Sequence, residues 1–297
     1  MTTNDLPKVS IVTPSFNQAQ FIETTIESVL DQNYPNLEYI IIDGGSTDGS
    51  VEIIKKYQAH LHYWCSEADA GQYDAINKGF QHSTGEIMGW LNSDDLHFPW
   101  TLKTVASVLS QLEEVEWLST LQPGGCDWDS LCTGFGSLPG YSKQAFLDGM
   151  YAIAGFCIQQ ESTFWRRNLW QNSGAQIPTE FKLAGDFALW SNFFCHAELY
   201  AIDSPLGCFR SQVNQKSRSV EQYIMEAKSA LDIRRESYNW KPSSDALKTF
   251  LWRLKLHRIP QISKLITSIF GGYLSKKIVK TNADSPDSYW TIQEYKF

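Results

Sequence analysis

The chain has 297 residues, a length that allows one large domain or a domain with an appendage. Its formal net charge of −8 argues against nucleic acid as the main partner. The six cysteines form no C-x-x-C pair, no stretch reaches ~18 apolar residues, and the polar first residues lack the apolar segment of a signal peptide. We therefore expect a cytoplasmic protein with reduced thiols and no membrane span.

The first 110 residues alternate between predicted strands and helices. Strands are predicted for four β-rich or apolar runs: 9–13, 38–43, 61–65 and 86–91. Helices are predicted over 18–32, 72–82 and a third segment that Ser46 or Thr47 caps and that runs to about Tyr57. This alternation indicates βαβ units and a mostly parallel sheet, in which ligands bind beyond the carboxyl ends of the strands.

The second half of the chain has a less regular pattern. We predict a strand over 116–120, a loop-rich segment over 124–140 and a helix over 185–194 that opens with an acid. The pattern after Ser219 is helical to the end, with breaks at Pro242, Pro260 and Gly271–Gly272. These patterns divide the chain into a domain over 1–218, with halves 1–110 and 111–218, and a helical extension over 219–297.

The segment Asn92-Ser93-Asp94-Asp95 follows the predicted strand 86–91 directly. Two carboxylates at the carboxyl end of a strand suit a Mg²⁺ or Mn²⁺ ion that shares its ligands with a diphosphate. The alternative is a solvated turn or a helix N-cap before Phe98. We favour the metal site because of the motifs that precede it.

Four motifs occur in a characteristic order: Thr13-Pro14-Ser15-Phe16-Asn17, Ile42–Ser50 (IDGGSTDGS), Glu67–Gly79 (EADAGQYDAINKG) and Leu91-Asn92-Ser93-Asp94-Asp95. Their order and spacing resemble the family 2 glycosyltransferases, in particular the branch that builds bacterial exopolysaccharide and lipopolysaccharide. The resemblance is strong over 8–100, fair over 155–215 and absent after about 240. It implies an α/β GT-A fold, a Rossmann-like, mostly parallel sheet flanked by helices, here with a helical C-terminal extension.

The resemblance assigns one group of residues to the nucleotide-sugar donor. Asp43 matches the acid that accepts a hydrogen bond from the base, and a carboxylate suits the N3–H of uracil. A strand-end cap is the alternative for Asp43. Lys78 is expected to neutralise phosphate charge, or else to be a solvated helix lysine. The other residues expected at the donor site are Pro14, Ser15, Asn17, Gly45, Ser46, Asp69, Asn92 and Asp94.

The resemblance also implies a metal ligand and a general base. Asp95 is expected to be the main ligand of Mg²⁺ or Mn²⁺, with Asp94 contacting the ribose or the metal and its water. Asn92 and Ser93 stand where the wider family often has another acid. An inverting transfer needs a base for the acceptor hydroxyl, and Asp186 matches the family's acid at that place. The alternative for Asp186 is a first-turn acid favoured by the helix dipole.

Three further residues have weaker assignments in the second half. Glu161 is the competing base, while Gln160 is expected to touch the donor sugar or the acceptor. Arg210 resembles the branch's terminal arginine and is expected to clamp pyrophosphate in a bidentate manner. A structural salt bridge is the alternative for Arg210.

The segment 241–280 is strongly basic, with nine Lys or Arg and one acidic residue. Its apolar spacing predicts amphipathic helices that lie on an anionic membrane surface, which suits a lipid-linked acceptor. Alternatively, these helices pack on the acidic catalytic domain or on a partner subunit.

These observations predict a metal-dependent, inverting glycosyltransferase. The donor is expected to be a nucleotide-diphosphate sugar, most simply a UDP-sugar, and the acceptor a glycan or a polyprenyl-diphosphate-linked sugar. One alternative is a sugar-phosphate nucleotidyltransferase, although Pro14–Asn17 occupies the place of the glycine-rich segment that such enzymes carry. Another is a catalytically silent subunit that binds nucleotide-sugar.

Overall fold

A computed structural model describes residues 6–153, 157–212, 215, 219–241, 272–285 and 287–297. Its first half alternates strands and helices as predicted. The strands are β1 Val9–Ser15, β2 Leu37–Asp43, β3 Tyr63–Ser66, β4 Ile87–Trp90 and β5 Leu96–His97. The helices are α1 Ile22–Leu30, α2 Ser50–Tyr57, α3 Gln72–Gln81 and α4 Thr101–Gln111.

The second half combines short strands and helices. The strands are β6 Trp117–Thr120, β7 Gly124–Cys126, β8 Cys132–Phe135, β9 Phe164–Arg166, β10 Tyr200–Ile202, β11 Gly207–Arg210, β12 Leu274–Thr281 and β13 Tyr289–Lys296. The helices are α5 Lys143–Leu147, α6 Met150–Ile153, α7 Arg167–Asn172, α8 Gly185–His196 and α9 Val220–Ser237. A short 3-10 helix spans Gln160–Ser162.

Among the described residues, nine strands form the central sheet in the order β13-β12-β10-β6-β9-β4-β1-β2-β3. Strands β1 to β4 pair in parallel, as the βαβ pattern predicts. Their register places Ser15, Asp43 and Ser66 side by side at one edge. A smaller sheet has the strand order β5-β11-β7-β8. Its strand β5 follows Asp94 and Asp95 directly in the chain.

The core explains much of the chain's aromatic content. Trp90, Trp117, Trp165 and Trp190 are fully buried in one cluster, and Trp90 stacks on Trp190 with ring centroids 5.6 Å apart. A second buried cluster, made mostly of Val, Ile and Leu, covers the other part of the sheet. Burial of such rings stabilises the sheet and holds the ends of its strands in fixed positions.

The prediction of helix from Ser219 to the end is wrong for the last part of the chain. Helix α9 forms as predicted, but β12 and β13 form an antiparallel hairpin that extends the central sheet. Strand β12 pairs in parallel with β10, and its Ile278 is buried. Of the predicted amphipathic helices over 241–280, the part over 242–271 lies outside the described residues, and the last part forms β12 instead of a helix. Of the helices that the described part of the chain contains, none is both long and apolar enough to cross a membrane.

The predicted start of α2 is also wrong. The helix begins at Ser50, because the Asp48 carboxylate accepts hydrogen bonds from the Ser50 N–H at 3.0 Å and the Ser50 hydroxyl at 2.6 Å. Ser46, one of the two expected caps beside Thr47, instead donates its hydroxyl to Asp43. The segment 44–49 therefore stays outside the helix and forms a loop at the edge of the sheet.

Replacement of Glu38 by glutamine is expected to destabilise the fold by about 1–3 kcal/mol at neutral pH. The buried carboxylate accepts hydrogen bonds from Ser10, Thr84 and Gly85, and it pairs with Lys8 at 3.1 Å. Burial acts to raise its pKa, but these donors lower the pKa from 4.5 to about 2. Urea denaturation at several pH values measures the effect.

The pH dependence has a definite sign. Because the folded-state pKa is depressed, the stabilisation is present above pH ~4.5 and is lost as the pH falls towards ~2. The difference between wild type and Glu38→Gln should therefore shrink over this range. The half-exposed Glu23, which pairs with Lys56, provides the control, and Glu23→Gln is expected to change stability by less than ~1 kcal/mol. Equal effects of the two substitutions would contradict the prediction.

Candidate active site

Asp43 lies fully buried at the carboxyl end of β2 and organises the loop that follows it. Its carboxylate accepts hydrogen bonds from the N–H groups of Gly45 at 3.1 Å and Ser46 at 2.8 Å. The hydroxyls of Ser46 and Ser66 donate to it at 2.5 and 2.7 Å. Gly45 has a φ of +82°, which a residue without a side chain adopts readily. These contacts are those of a strand-end cap, and contact with a base stays a prediction.

The expected nucleoside-pocket residues lie next to this loop. Asn17 is exposed, and its side-chain oxygen accepts a hydrogen bond from the Thr47 N–H at 3.0 Å, while its own N–H donates to the Ser46 hydroxyl at 2.7 Å. Pro14 and Ser15 are buried in β1, and the Ser15 carbonyl accepts from the Gly44 N–H at 2.8 Å. The two loops therefore form one continuous rim at the end of the sheet.

Asp69 and Lys78 occupy the neighbouring part of this rim. Asp69 packs against Gly44, where an added Cβ would stand 2.8 Å from the carboxylate, and it accepts a hydrogen bond from the Gly71 N–H at 2.8 Å. Lys78 pairs with Asp74 at 3.3 Å and with Glu67 at 3.8 Å. In this structure Lys78 therefore matches the alternative interpretation, a helix lysine paired with surface acids.

The predicted metal ligands lie in the loop after β4. Asp95 is only 1% exposed, and its carboxylate accepts hydrogen bonds from the Arg210 N–H at 2.9 Å and from the Asn92 side-chain amide at 3.3 Å. Asp94 is half-buried and accepts a hydrogen bond from the Gln212 side-chain amide at 2.5 Å. The Asn92 oxygen in turn accepts from the side-chain amide of Gln72 at 2.7 Å.

The electrostatics of this loop suit a divalent cation. Burial raises the pKa of Asp95 well above its usual range, and the charges of Asp94 and Glu161 raise it further. A cation placed here would relieve that repulsion. The described residues contain no cluster of three or more His, Cys, Asp or Glu that would hold an ion by itself. This donor set fits Mg²⁺ or Mn²⁺ held by one or two carboxylates and completed by water and substrate phosphates.

Arg210 does not have the free guanidinium that a pyrophosphate clamp requires. It is fully buried at the end of β11, where its guanidinium stacks on Phe21 at 4.8 Å. Its donors bind the Asp94 carbonyl at 2.6 Å and the Trp128 carbonyl at 2.8 Å, with further bonds to the Asp127 carbonyl and to the hydroxyls of Ser130 and Thr24. Arg210 therefore ties the loop of the predicted metal ligands to the loop 127–130 through hydrogen bonds, which is neither the expected pyrophosphate clamp nor the alternative salt bridge.

Arg210→Lys is expected to lower the free energy of unfolding by about 2–4 kcal/mol. A lysine ammonium has three donors at one point and cannot reach the separate carbonyls that the planar guanidinium binds. Urea denaturation of the purified variant measures the change. A loss below ~0.5 kcal/mol would show that these bonds contribute little.

Gln160 and Glu161 lie close to the loop that carries Asp94 and Asp95. The Gln160 amide donates to the Trp90 carbonyl at 2.7 Å, and Glu161 is only 2% exposed. Burial raises the pKa of Glu161 to about 8, helped by the charge of Asp186. At neutral pH Glu161 is therefore mainly protonated, which makes it the weaker candidate for a general base.

Asp186 has the properties that a base needs. It is half-buried in the first turn of α8, where it accepts a hydrogen bond from the Phe187 N–H at 2.7 Å. Burial raises its pKa to about 6, so that it is mainly ionised at pH 7 and yet able to accept a proton. The Tyr223 hydroxyl lies 3.4 Å from its carboxylate. The contact with Phe187 also agrees with the alternative interpretation, a first-turn acid.

The four carboxyl groups of the two regions interact electrostatically. Asp94 and Glu161 both raise the pKa of Asp95, and Asp186 raises the pKa of Glu161. Glu161 therefore lies within electrostatic reach of both Asp95 and Asp186. The sequence interpretation missed Gln212, Ser66, Tyr223 and Glu226, whose contacts come from distant parts of the chain. Among these four residues, only Gln212 could have been noticed from the sequence, because it lies two positions after Arg210.

Comparison with known proteins shows which family the first half of the chain resembles. The sequence pattern described as Glycosyl transferase family 2 matches residues 10–129. The TuaG protein of Bacillus subtilis, named as a teichuronic acid biosynthesis glycosyltransferase, is 41% identical over 96 residues, which cover 31% of this chain and 38% of that protein. An uncharacterised glycosyltransferase of Rickettsia prowazekii is 26% identical over 200 residues, or 65% of this chain and 61% of that one. The chain thus spans little more than a third of TuaG and less than two thirds of the other relative.

Solved structures share the fold at low sequence identity. Residues 1–349 of Staphylococcus aureus TarS, in complex with UDP-GlcNAc, align with a TM-score of 0.61 and 18% identity over 88% of this chain and 75% of that one. The mannosyltransferase PcManGT of Pyrobaculum calidifontis, in complex with GDP-Man and Mn²⁺, aligns with a TM-score of 0.52 and 17% identity over 89% of this chain and 84% of that one. These likenesses confirm the predicted α/β fold class. Residues 10–129 therefore match the family 2 glycosyltransferases in sequence, and the chain shares the GT-A fold of these solved structures.

Proposed function

We propose that this protein is a metal-dependent, inverting glycosyltransferase that uses a nucleotide-diphosphate sugar. The observation that carries this proposal is the placement of Asp94 and Asp95 in the loop after β4 and of Asp186 in the first turn of α8. Asp94 and Asp95 offer oxygen ligands at the sheet edge, while Asp186 has a pKa of about 6. A leaving-group site and a base are the two requirements of a direct displacement at a sugar carbon.

The chain's own residues have separate roles in this proposal. Asp43 and the rim formed by Asn17 and Ser46 receive the nucleoside, and Asp95 and Asp94 hold Mg²⁺ or Mn²⁺. When bound, that ion neutralises charge on the departing nucleoside diphosphate. Asp186 takes the proton from the acceptor hydroxyl, whose oxygen bonds to the sugar carbon as the bond to the diphosphate breaks. Inversion follows because one displacement occurs.

The donor and acceptor are assigned by chemistry and by similarity. A UDP-sugar is proposed because a buried carboxylate such as Asp43 suits the uracil N3–H, and because TarS binds UDP-GlcNAc. PcManGT binds GDP-Man, so a guanosine donor is the first alternative. The name of TuaG supports a cell-envelope polysaccharide as the product. We propose a glycan or a polyprenyl-diphosphate-linked sugar as the acceptor, met at the inner membrane face.

A screen of nucleotide-sugars tests the proposal. The purified protein is incubated with Mn²⁺ or Mg²⁺ and a panel of UDP-, GDP- and dTDP-sugars, with and without short glycan acceptors, and the released nucleoside diphosphate is measured. We expect metal-dependent release from one nucleotide class, increased by an acceptor. Release of pyrophosphate from a sugar phosphate and a nucleoside triphosphate would indicate a nucleotidyltransferase instead. Binding without turnover across the panel would favour a silent subunit.

A further inference from the structure

Helix α9 begins far beyond the matched residues 10–129, yet it packs against the segment that carries Asp186. Glu226 of α9 is half-buried, and one of its carboxylate oxygens accepts hydrogen bonds from the N–H groups of Leu183 at 2.8 Å and Ala184 at 3.0 Å. These N–H groups lie just before the first turn of α8, which begins at Gly185. Glu226 thus acts as a helix cap supplied by another helix, since no side chain of the flanking residue caps α8.

A second residue of the same helix reaches Asp186 itself. The Tyr223 hydroxyl lies 3.4 and 3.5 Å from the two carboxylate oxygens of Asp186, at the limit of hydrogen-bond distance. Tyr223 and Glu226 are three residues apart, so that they lie on one face of α9. One helix face therefore contacts both the acid and the backbone that carries it.

Tyr73 of α3 also holds this segment. Its hydroxyl donates to the Leu183 carbonyl at 2.7 Å, and its ring lies so close to Gly185 that an added Cβ would stand 2.6 Å from a ring carbon. The segment 183–186 is thus fixed between α3 and α9. In such a setting a change at Tyr223 or Glu226 alters the surroundings of Asp186 without altering the nucleotide rim.

We propose that Tyr223 and Glu226 are positioning residues that hold Asp186 and the backbone that carries it in place. The proposal rests on the proposed function, in which Asp186 is the base. The Tyr223 hydroxyl favours the carboxylate by pointing a donor at it, whereas the negative charge of Glu226 disfavours it. Helix α9 is then part of the catalytic apparatus and not of an appendage.

The groups that face Asp186 come from three elements. They are Tyr223 and Glu226 from α9, Tyr73 from α3, and Cys157 with Glu161 from the segment before β9. Burial is the main cause of the raised pKa of Asp186, and Tyr223 lowers that pKa while Glu226 raises it. Removal of either group is therefore expected to shift the pKa of Asp186 in a known direction.

The test is the pH profile of kcat/KM for donor and acceptor, whose acid limb reports the base in the free enzyme. In Tyr223→Phe the acid limb is expected to move to higher pH, by roughly half a unit or more. In Glu226→Gln it is expected to move to lower pH by a similar amount, since the amide keeps an acceptor oxygen but loses the charge. A merely structural role would lower kcat without shifting the limb in opposite directions.

Two substitutions on the same helix serve as controls. Glu221→Gln removes an exposed charge from the first turn of α9, and Tyr238→Phe removes a partly exposed hydroxyl at its end. Both are expected to leave the acid limb in place. Metal-dependent UDP binding and the melting temperature show that each variant is folded. If Glu226→Gln fails to fold, Tyr223→Phe alone decides.

The outcomes separate this inference from the proposed function. Full turnover in Asp186→Asn would overturn the assignment of the base and with it the positioning role. Loss of turnover in Asp186→Asn, with unshifted acid limbs in folded Tyr223→Phe and Glu226→Gln, would overturn the positioning role alone. Shifts of the two variants in the same direction would also contradict it.

Discussion

Asp186→Asn is expected to reduce kcat by roughly 10²–10⁴-fold, the usual contribution of general acid–base catalysis. Asparagine keeps the shape of the side chain and an acceptor oxygen for the Phe187 N–H, but it cannot take a proton at neutral pH. Binding of the nucleotide-sugar should change little, because Asp186 lies outside the rim formed by Asn17 and Ser46. Steady-state kinetics together with calorimetric donor titration measures both quantities.

The pH dependence of the wild-type enzyme belongs to the same prediction. Since Asp186 acts in its ionised form and has a pKa of about 6, kcat/KM should fall as the pH falls through ~6. The exposed Asp287 in the hairpin turn between β12 and β13 offers a matched control, and Asp287→Asn should keep full activity. A loss of less than tenfold in Asp186→Asn, or a loss of equal size in Asp287→Asn, would exclude Asp186 as the base.

Asp95→Asn is expected to lower turnover by about 10²-fold or more and to raise the Mn²⁺ concentration needed for half-maximal activity by at least tenfold, in line with the loss of a main charged metal ligand. Asparagine still accepts the Arg210 N–H and loses only the longer bond from the Asn92 amide at 3.3 Å, so most of the loop geometry should survive. Activity measured across a series of Mn²⁺ concentrations gives both values.

Stability measurements distinguish a lost metal ligand from a damaged fold. Without metal, Asp95 is a buried acid whose pKa is raised by burial and by Asp94 and Glu161, so the neutral amide should leave the melting temperature unchanged or raise it. At an equal concentration of Mn²⁺ and UDP, the wild type should gain more stability than the variant. A variant that unfolds more easily without metal, yet responds to Mn²⁺ and UDP as the wild type does, would contradict the assigned role.

The strands and helices next to the rim formed by Asn17 and Ser46 could be predicted from the sequence because their patterns are local. The strands that end at Ser15 and Asp43 are apolar runs closed by polar residues, and the helices between them have apolar residues at helical spacing. The C-terminal hairpin could not be predicted in this way. Strand β12 contains Lys276, Lys277 and Lys280, which resemble the charged face of a helix, and its strand form depends on pairing with β10.

The candidate site was predictable as a set of residues but not as a set of contacts. The family resemblance proposed Asp95 and Asp186 as site residues, since these belong to short segments at strand and helix ends. The burial of Arg210 depends on the Asp94 and Trp128 carbonyls, which lie 116 and 82 positions away in the chain. The contact of Glu226 with Leu183 likewise joins distant elements. Such pairings follow from tertiary packing and leave no periodic signal in a single sequence.

The central claim is that the loop of Asp94 and Asp95 binds a nucleoside diphosphate through a divalent metal ion. The most direct test is calorimetric titration of UDP into the purified wild-type chain, once with Mn²⁺ and once with EDTA, with GDP and dTDP as comparisons. We predict saturable binding of UDP with Mn²⁺ that EDTA abolishes. Equal binding with and without the metal, or no binding of any of the three nucleotides, would contradict the claim.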